Sequence, residues 1–215
     1  MQQLEFNKTI KLLDKYKISY PKSRLATSPE KATKIAKELG YPVVLKIISK
    51  DIVHKSDVGG VKVNLKTEEE LTSAYEELLK SVKKKSPKAK LEGVLVQKME
   101  SGIEAIIGMK RDPQFDAVIM FGLGGVFVEV LKDVSFRIAP IDKIQAEKMI
   151  NEIQAIEILK GVRGEKPVKI SALVDLLVKV SKLSITNKKI LELDLNPVIV
   201  DEKSAKVADV RLMTA

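Results

Sequence analysis

Apolar residues recur at helical spacing in the first part of the chain. This spacing predicts a helix over Leu4–Tyr16. A second helix is predicted from its N-cap Ser28 to Gly40, and a third from its N-cap Thr67 to Ser86. The boundaries follow from residue type, because serine and threonine cap helix N-termini and glycine ends helices.

Short apolar runs predict strands in the rest of the chain, with two further helices at about 143–159 and 169–186. The predicted strands are 43–48, 61–65, 93–98, 103–109, 117–121, 126–131, 135–140, 190–193, 197–200 and 206–210. Helices and strands are mixed, with hairpins near the middle and the end, so the predicted fold class is α+β (mixed α/β).

The order of elements predicts two lobes with a hinge near Gln97–Gly102. The helix-rich first part gives way to hairpins there. The first lobe is predicted over about 1–96, including the N-terminal helices, and the second over about 97–215. A chain of 215 residues is long enough for one large domain or two small lobes.

Composition narrows the chemistry. Absence of cysteine excludes disulfides, thiolate metal sites and a thiol nucleophile, and a single histidine excludes a multi-histidine metal cage. Any metal therefore has oxygen ligands, and magnesium is expected. No apolar run approaches the roughly 18 residues of a membrane helix, and the N-terminus lacks a signal-peptide core, so a cytoplasmic location is expected. Abundant Lys, Glu and Ile are typical of a thermophile.

The net charge of +9 admits nucleic acid as a partner. However, the lysines are spread along the chain and aromatic residues make up 4% of it, without a basic–aromatic pattern. A solvated basic surface is therefore the favoured interpretation, and a nucleic-acid-binding protein is the less favoured alternative. A positive field would also favour small phosphorylated substrates.

The segment Gly40–Leu65 contains the densest candidate chemistry. Two apolar runs flank a loop with a histidine and two glycines, and Lys46 lies within the first run. Lysines on strands beside such a turn can hold phosphate, and His54 can bind or transiently accept a phosphoryl group. The alternatives are a lysine that extends from a core edge and an ordinary polar turn.

A glycine cluster, Gly122-Leu123-Gly124-Gly125, follows one predicted strand. It is not a dinucleotide fingerprint, because Phe127 occupies the place of the third glycine and a strand is expected to follow. The cluster predicts either a tight turn or a close approach of backbone to a phosphate or to a partner loop.

Polar residues alternate with leucines near the end of the chain. Glu192, Asp194 and Asn196 share one face of a predicted strand, and a returning hairpin would bring Asp209 near Asn196. Oxygen ligands from two neighbouring strands, completed by phosphates and water, suit magnesium. The alternative is a solvated sheet face.

Together these stretches resemble the ATP-grasp β subunits of ADP-forming acetyl-CoA synthetases, and more distantly the β subunit of succinyl-CoA synthetase. The resemblance covers nearly the whole chain. Its matching stretches are GYPVVLKIISKDIVHKSDVGGVKVNL, VLVQKM, IGMKRDPQFDAVIMFGLGGVFVEVLKDVSFRIAP and LELDLNPVIV. It implies a two-lobed ATP-grasp fold with the nucleotide between the lobes.

The resemblance also implies a set of nucleotide contacts. These would be made by Lys46, His54, Lys55, Ser56, Gln97, Lys98, Met99 and Glu104. Lys46 would contact the phosphates and Glu104 the ribose. The loop with His54 would cover the nucleotide, and the backbone of Gln97–Met99 would read the adenine.

The remaining implied roles concern metal and phosphoryl transfer. Asn196 and Asp209 match magnesium ligands, and Asp194 matches a carboxylate that meets a phosphorylated histidine of the partner. The counterpart of His54 is itself proposed to carry a phosphoryl group. His54 and Asp194 are therefore the expected catalytic residues.

The implied reaction converts acyl-CoA, ADP and phosphate into carboxylic acid, CoA and ATP through phosphohistidine. An α subunit with the CoA-binding domains and that histidine is expected, as α2β2, since no CoA-binding fingerprint is found in this chain. The acid and the choice between ADP and GDP stay open. The alternatives are a stand-alone ATP-grasp carboxylate–amine ligase and a non-catalytic ATP sensor.

Overall fold

The computed structural model describes residues 1–52, 54–162, 164 and 166–215, without the side chains of Val126 and Glu129. The chain forms two compact units. The smaller is Pro21–Glu100, and the larger joins Met1–Tyr20 to Ser101–Ala215. This division differs from the predicted lobes 1–96 and 97–215, because the first twenty residues group with the larger unit.

Helices and strands alternate irregularly along the chain. The helices are α1 (Phe6–Lys15), α2 (Pro29–Leu39), α3 (Glu68–Lys85), α4 (Val126–Glu129), α5 (Lys143–Glu152), α6 (Ile156–Lys160) and α7 (Ile170–Thr186). The strands are β1 (Gln2–Gln3), β2 (Ser23–Ala26), β3 (Val43–Ser49), β4 (Val61–Leu65), β5 (Leu91–Lys98), β6 (Ile103–Asp112), β7 (Asp116–Leu123), β8 (Val134–Ile138), β9 (Ile190–Val200), β10 (Ala205–Val207) and β11 (Val210–Thr214). The mixed α+β class is confirmed.

The smaller unit is an antiparallel sheet in the order β2-β5-β3-β4, with α2 and α3 on one face. Its helix caps confirm the sequence prediction. Ser28 Oγ accepts from the Lys31 N–H at 3.3 Å, and Thr67 Oγ1 accepts from the Glu70 N–H at 3.2 Å. Gly40 ends α2 with φ +78°, a backbone conformation that glycine adopts without a steric cost.

The larger unit is a seven-stranded antiparallel sheet in the order β1-β11-β9-β6-β7-β8, with β10 on β9. Its core lies on one face, where α5 and α7 pack over buried residues of the central strands. Leu13 and Ile18 from the N-terminal segment are buried in the same core. This burial explains why the first twenty residues belong to the larger unit.

Two predicted elements of the larger unit are wrong. The segment 126–131 is not a strand, because the short helix α4 begins directly after Gly125. The predicted helix 143–159 is divided at Ile153 into α5 and α6. The buried carboxylate of Asp133 accepts from the N–H groups of Gln154 and Ala155 at 2.8 Å each, so a second helix starts there.

The last predicted strands also differ from the structure. β9 continues through the cis Asn196-Pro197 peptide as one strand instead of two. The predicted strand 206–210 is interrupted, because Ala208 and Asp209 lie between β10 and β11. Within the described part of the chain, no helix is long and apolar enough to cross a membrane.

Candidate functional site

Lys46 lies on β3, one of the two central strands of the smaller sheet. Its register partners are Val61 on β4 and Leu95 on β5, and only 7% of its surface is exposed. Its strand neighbours Leu45 and Ile47 belong to the core under the helices. Because side chains alternate along a strand, Lys46 points to the helix-free face.

Gln97 shares this face with Lys46. It is paired with Val44, two residues before Lys46, and 5% of its surface is exposed. The two side chains are therefore diagonal neighbours on adjacent strands. Burying an ammonium and an amide is costly without polar partners, and neither residue is without an interaction in the folded chain. Lys46 and Gln97 are thus two buried polar groups beside the apolar residues Val44 and Leu95 on the helix-free face, and the ammonium of Lys46 suits an anionic ligand.

The loop between β3 and β4 holds the predicted residues His54, Lys55 and Ser56. His54 and Ser56 are exposed, and Lys55 is half-buried. The end of the loop is held by backbone hydrogen bonds, from the Gly59 N–H to Ser56 O at 2.9 Å and from the Gly60 N–H to Lys55 O at 2.7 Å. The loop thus presents His54 to solvent from an anchored base.

Helix α3 holds the same loop from the other side. Ser81 Oγ donates to Val58 O at 2.8 Å, and Lys85 Nζ donates to Asp57 O at 2.7 Å. Gly59 has φ +70°, and a Cβ there would lie 2.6 Å from Ser81 Oγ. A glycine is therefore required both by the backbone conformation and by the close approach to α3.

The segment Gln97–Met99 comprises the last two residues of β5 and the residue after them. The Lys98 N–H donates to Lys22 O at 2.9 Å, and the Met99 N–H donates to Pro42 O at 3.2 Å. The Lys98 ammonium donates to Gly40 O at 2.8 Å, which places a cation at the C-terminus of α2. Both N–H groups and the Lys98 side chain thus have partners within the smaller unit.

Asn196 and Asp209 are brought together in the larger unit, as their spacing predicts. The Asn196 N–H donates to Asp209 O at 3.1 Å, directly beside the paired residues Leu195 and Val210. An amide and a carboxylate oxygen fit the ligand preference of magnesium. Among the described residues no group of three or more His, Cys, Asp or Glu could hold a metal, so further ligands would come from phosphate and water.

Asp194 and Glu192 lie on the coreless face of the same sheet, each opposite a cation. Arg211 Nη2 is 4.0 Å from Asp194 Oδ2, and Lys110 Nζ is 3.9 Å from Glu192 Oε1. Sequence reasoning missed both cations. Alternation along β11 could have placed Arg211 on this face, but its position opposite Asp194 depends on strand register.

Glu104 lies on β6 beside the glycine cluster. The Gly124 N–H donates to Glu104 O at 2.7 Å, and a Cβ on Gly124 would lie 2.9 Å from Glu104 Cβ. Gly124 therefore approaches Glu104 closely within the larger unit, and the approach of the glycines to a phosphate or to a partner loop stays a prediction. Gly124 leaves room for the Glu104 side chain at the exposed end of its strand.

The chain matches a known protein family and several named relatives. A family model described as an ATP-grasp domain matches residues 1–213. The acetate–CoA ligase [ADP-forming] I of Archaeoglobus fulgidus is 54% identical over 203 residues, which are 94% of this chain and 30% of that protein. The β subunit of acetate–CoA ligase [ADP-forming] I from Pyrococcus furiosus is 49% identical over 203 residues, 94% of this chain and 88% of the subunit.

Solved structures agree with this assignment. An acetyl-coenzyme A synthetase 1 of Ca. Korarchaeum cryptofilum, in complex with coenzyme A and Ca-AMPCP, has a TM-score of 0.94 at 48% identity and is covered to 94%. The same synthetase with Mg-AMPPCP, its phosphohistidine segment pointing towards the nucleotide binding site, has a TM-score of 0.84 at 43% identity and is covered to 93%.

A more distant relative confirms the second predicted likeness. The succinate–CoA ligase [ADP-forming] β subunit of Deinococcus radiodurans is 26% identical over 208 residues, which are 92% of this chain and 50% of that subunit. The chain spans about a third of the length of the Archaeoglobus ligase but most of the Pyrococcus subunit. It belongs to the ATP-grasp family, in the branch of the β subunits of ADP-forming acetate–CoA ligases.

Proposed function

We propose that this chain is the nucleotide-binding β subunit of an ADP-forming acyl-CoA synthetase. The reaction converts acyl-CoA, ADP and phosphate into carboxylic acid, CoA and ATP. The observation that supports it best is the 49% identity to a named β subunit that this chain covers to 88%. The polar residues on both sheets are consistent with binding of a nucleotide and a divalent cation.

The smaller unit supplies most of the proposed nucleotide contacts. Lys46 binds the phosphates, because a buried ammonium on a strand offers a positioned charge. The loop of His54, Lys55 and Ser56 covers the nucleotide, and the backbone of Gln97–Met99 contacts the adenine. Since the Lys98 and Met99 N–H groups already donate to backbone oxygens, adenine recognition there uses carbonyl oxygens or exchanges the longer Met99 bond.

The larger unit supplies the proposed ribose and metal contacts. Glu104 binds the ribose hydroxyls. Asn196 and Asp209 hold magnesium, whose positive charge offsets the negative charge of the phosphates when it is bound. Their oxygen donors fit this ion, and their backbone hydrogen bond keeps the two residues adjacent.

The proposed partner is an α subunit with the CoA-binding domains and a histidine that becomes phosphorylated, in an α2β2 assembly in the cytoplasm. Phosphate displaces CoA from the acyl-CoA to give an acyl phosphate. The histidine then takes the phosphoryl group and releases the acid, His54 takes the phosphoryl group from that histidine, and ADP takes it from His54. Asp194 accepts a hydrogen bond from the imidazole, which orients its reacting nitrogen. His54 carries the phosphoryl group between the two sites.

Calorimetric titration of the chain with Mg-ADP and Mg-ATP tests the nucleotide site. We expect Lys46→Ala and Asp209→Ala to weaken binding at least tenfold. Lys62→Ala is the matched control, because Lys62 lies on neighbouring β4 and pairs with Glu77 at 2.7 Å. Equal affinities of Lys46→Ala and Lys62→Ala would contradict the assignment of Lys46.

Reconstitution with the co-purified α subunit tests the reaction. We expect ATP formation from ADP and phosphate that depends on acyl-CoA and releases CoA, and its loss in His54→Ala. Normal turnover of that variant would remove the relay role of His54 and leave nucleotide binding. Transfer of an acyl group to an amine without any α subunit would favour a carboxylate–amine ligase instead.

A further inference from the structure

The coreless face of the larger sheet has a polar half and an apolar half. Two rows of register partners cross it. The first row is Arg211, Asp194, Gly108, Met120 and Phe136, from β11 to β8. The second row is Met213, Glu192, Lys110, Val118 and Ile138. The charged residues of these rows thus lie on β11, β9 and β6, next to Met213 and Gly108, and all four residues on β7 and β8 are apolar.

The apolar half is exposed. We call Val118, Met120, Phe136 and Ile138 the β7–β8 platform. Phe136 is 54% and Ile138 52% exposed, while their cross-strand neighbours Val118 and Met120 are half-buried. The exposed residues Val130 and Leu131 come shortly before β8 and are separated from it by Lys132 and Asp133. Apolar side chains concentrated on one surface in this way are typical of an interaction site.

The strand edge is less available than the face. The Ala139 N–H donates to Ala117 O, so the backbone groups of Phe136 point away from β7. The guanidinium of Arg137 donates to Phe136 O at 2.7 Å and pairs with Glu152 on α5. A charged side chain held over an edge carbonyl opposes addition of a further strand. A partner would therefore contact the side chains of the platform.

The register relates the platform to Asp194. Asp194 and Phe136 lie in one row with two strands between them, and neighbouring strands are about 4.8 Å apart. Three steps give about 14 Å, which about five residues of extended chain can span. Gly108 and Met120 lie between Asp194 and Phe136 in this row. Gly108 has no side chain, so Met120 contributes the one side chain between them.

We propose that the β7–β8 platform seats the partner-subunit segment whose histidine carries the phosphoryl group, with that histidine above Asp194. The proposal rests on the function proposed above. The occupant is a segment with apolar residues about five positions from a phosphorylated histidine. Arg211 and Lys110 offset the charges of Asp194 and Glu192, so the polar half admits both the imidazole and its phosphoryl group.

Single-turnover transfer from separately purified, phosphorylated α subunit to ADP tests the proposal. We expect Phe136→Ser and Ile138→Ser each to raise the half-saturating α concentration about tenfold, which corresponds to about 1.4 kcal/mol. The rate at saturating α should stay within twofold of the original chain. Phe115→Ser is the matched control, since Phe115 is 49% exposed in the turn between β6 and β7, and it should change neither quantity.

Three results would overturn or separate the conclusions. The platform proposal would be overturned if Phe136→Ser and Ile138→Ser reached half-saturation at the same α-subunit concentration as Phe115→Ser. A dimer of the chain alone that Phe136→Ser dissociates, with unchanged transfer, would make the face a contact between two copies. If the chain without substitutions does not bind Mg-ADP, the proposed function itself is contradicted, because none of the platform residues is assigned to the nucleotide.

Discussion

Replacing Gly59 with alanine should destabilise the loop that carries His54, for two separable reasons. Gly59 has φ +70°, and an L-residue in this conformation costs about 1–2 kcal/mol. The new Cβ would also lie 2.6 Å from Ser81 Oγ, which must rotate away and lose its hydrogen bond to Val58 O. That loss adds about 1 kcal/mol. Gly59→Ala should therefore lower the free energy of unfolding by about 2–3 kcal/mol.

A double-mutant cycle separates the two terms. Ser81→Ala alone loses the same hydrogen bond and should cost about 1 kcal/mol. In Gly59→Ala/Ser81→Ala that bond is lost only once, so the double variant should be about 1 kcal/mol more stable than the sum of the single losses predicts. Gly125→Ala is the control. Gly125 has φ +63°, and apart from its two chain neighbours no described residue has an atom within 4 Å of the place that its Cβ would take, so only the backbone term applies.

Urea unfolding followed by circular dichroism at neutral pH measures each free energy. Strict additivity of Gly59→Ala and Ser81→Ala would refute the steric argument, since it would mean that the two changes disturb different interactions. A loss for Gly125→Ala as large as that for Gly59→Ala would likewise assign the whole effect to backbone conformation.

Three further predictions use other contacts. Asp133→Asn should lower the free energy of unfolding by about 2–3 kcal/mol, because the buried carboxylate of Asp133 accepts hydrogen bonds from two N–H groups. The control Asp142→Asn, at an exposed helix cap, should lower it by less than about 1 kcal/mol. Equal losses in urea unfolding would contradict this prediction. Gly124→Ala should displace Glu104 and raise the calorimetric Kd for Mg-ADP several-fold, and an unchanged Kd would remove the ribose role. Two backbone N–H groups of its turn lower the pKa of Asp112. The stabilisation by this carboxylate is therefore present above the unfolded-state pKa of about 3.9 and is lost as pH falls through the folded-state pKa. Asp112→Asn should make the free energy of unfolding fall less steeply with decreasing pH in the acid range, and an unchanged pH dependence would contradict this prediction.

The helix boundaries of the smaller unit were predictable from the sequence alone. Ser28 and Thr67 cap their helices with hydrogen bonds to N–H groups three residues on, and Gly40 ends α2 in a left-handed conformation. Each of these contacts joins residues within one helical turn. Their partners are therefore determined by neighbours along the chain, whatever the rest of the protein does.

The division of the helical segment after β8 was not predictable from the sequence alone. Its apolar spacing is compatible with one helix over 143–159, but the chain divides at Ile153. The division depends on the carboxylate of Asp133, about twenty residues earlier, which accepts from Gln154 and Ala155. No periodicity within the segment records that contact, because Asp133 reaches it only through the folded sheet.

The candidate site was predictable to the same extent. Alternation along β9 placed Asp194 and Asn196 on one face, and a short returning hairpin brought Asp209 to Asn196. Arg211 opposite Asp194 and Phe136 in the same row were not predictable, because they depend on the pairing of strands distant in sequence. A shift of one residue in register would turn every such side chain to the other face. Local chemistry along the chain thus determined which residues could act, and long-range strand pairing decided which of them lie side by side.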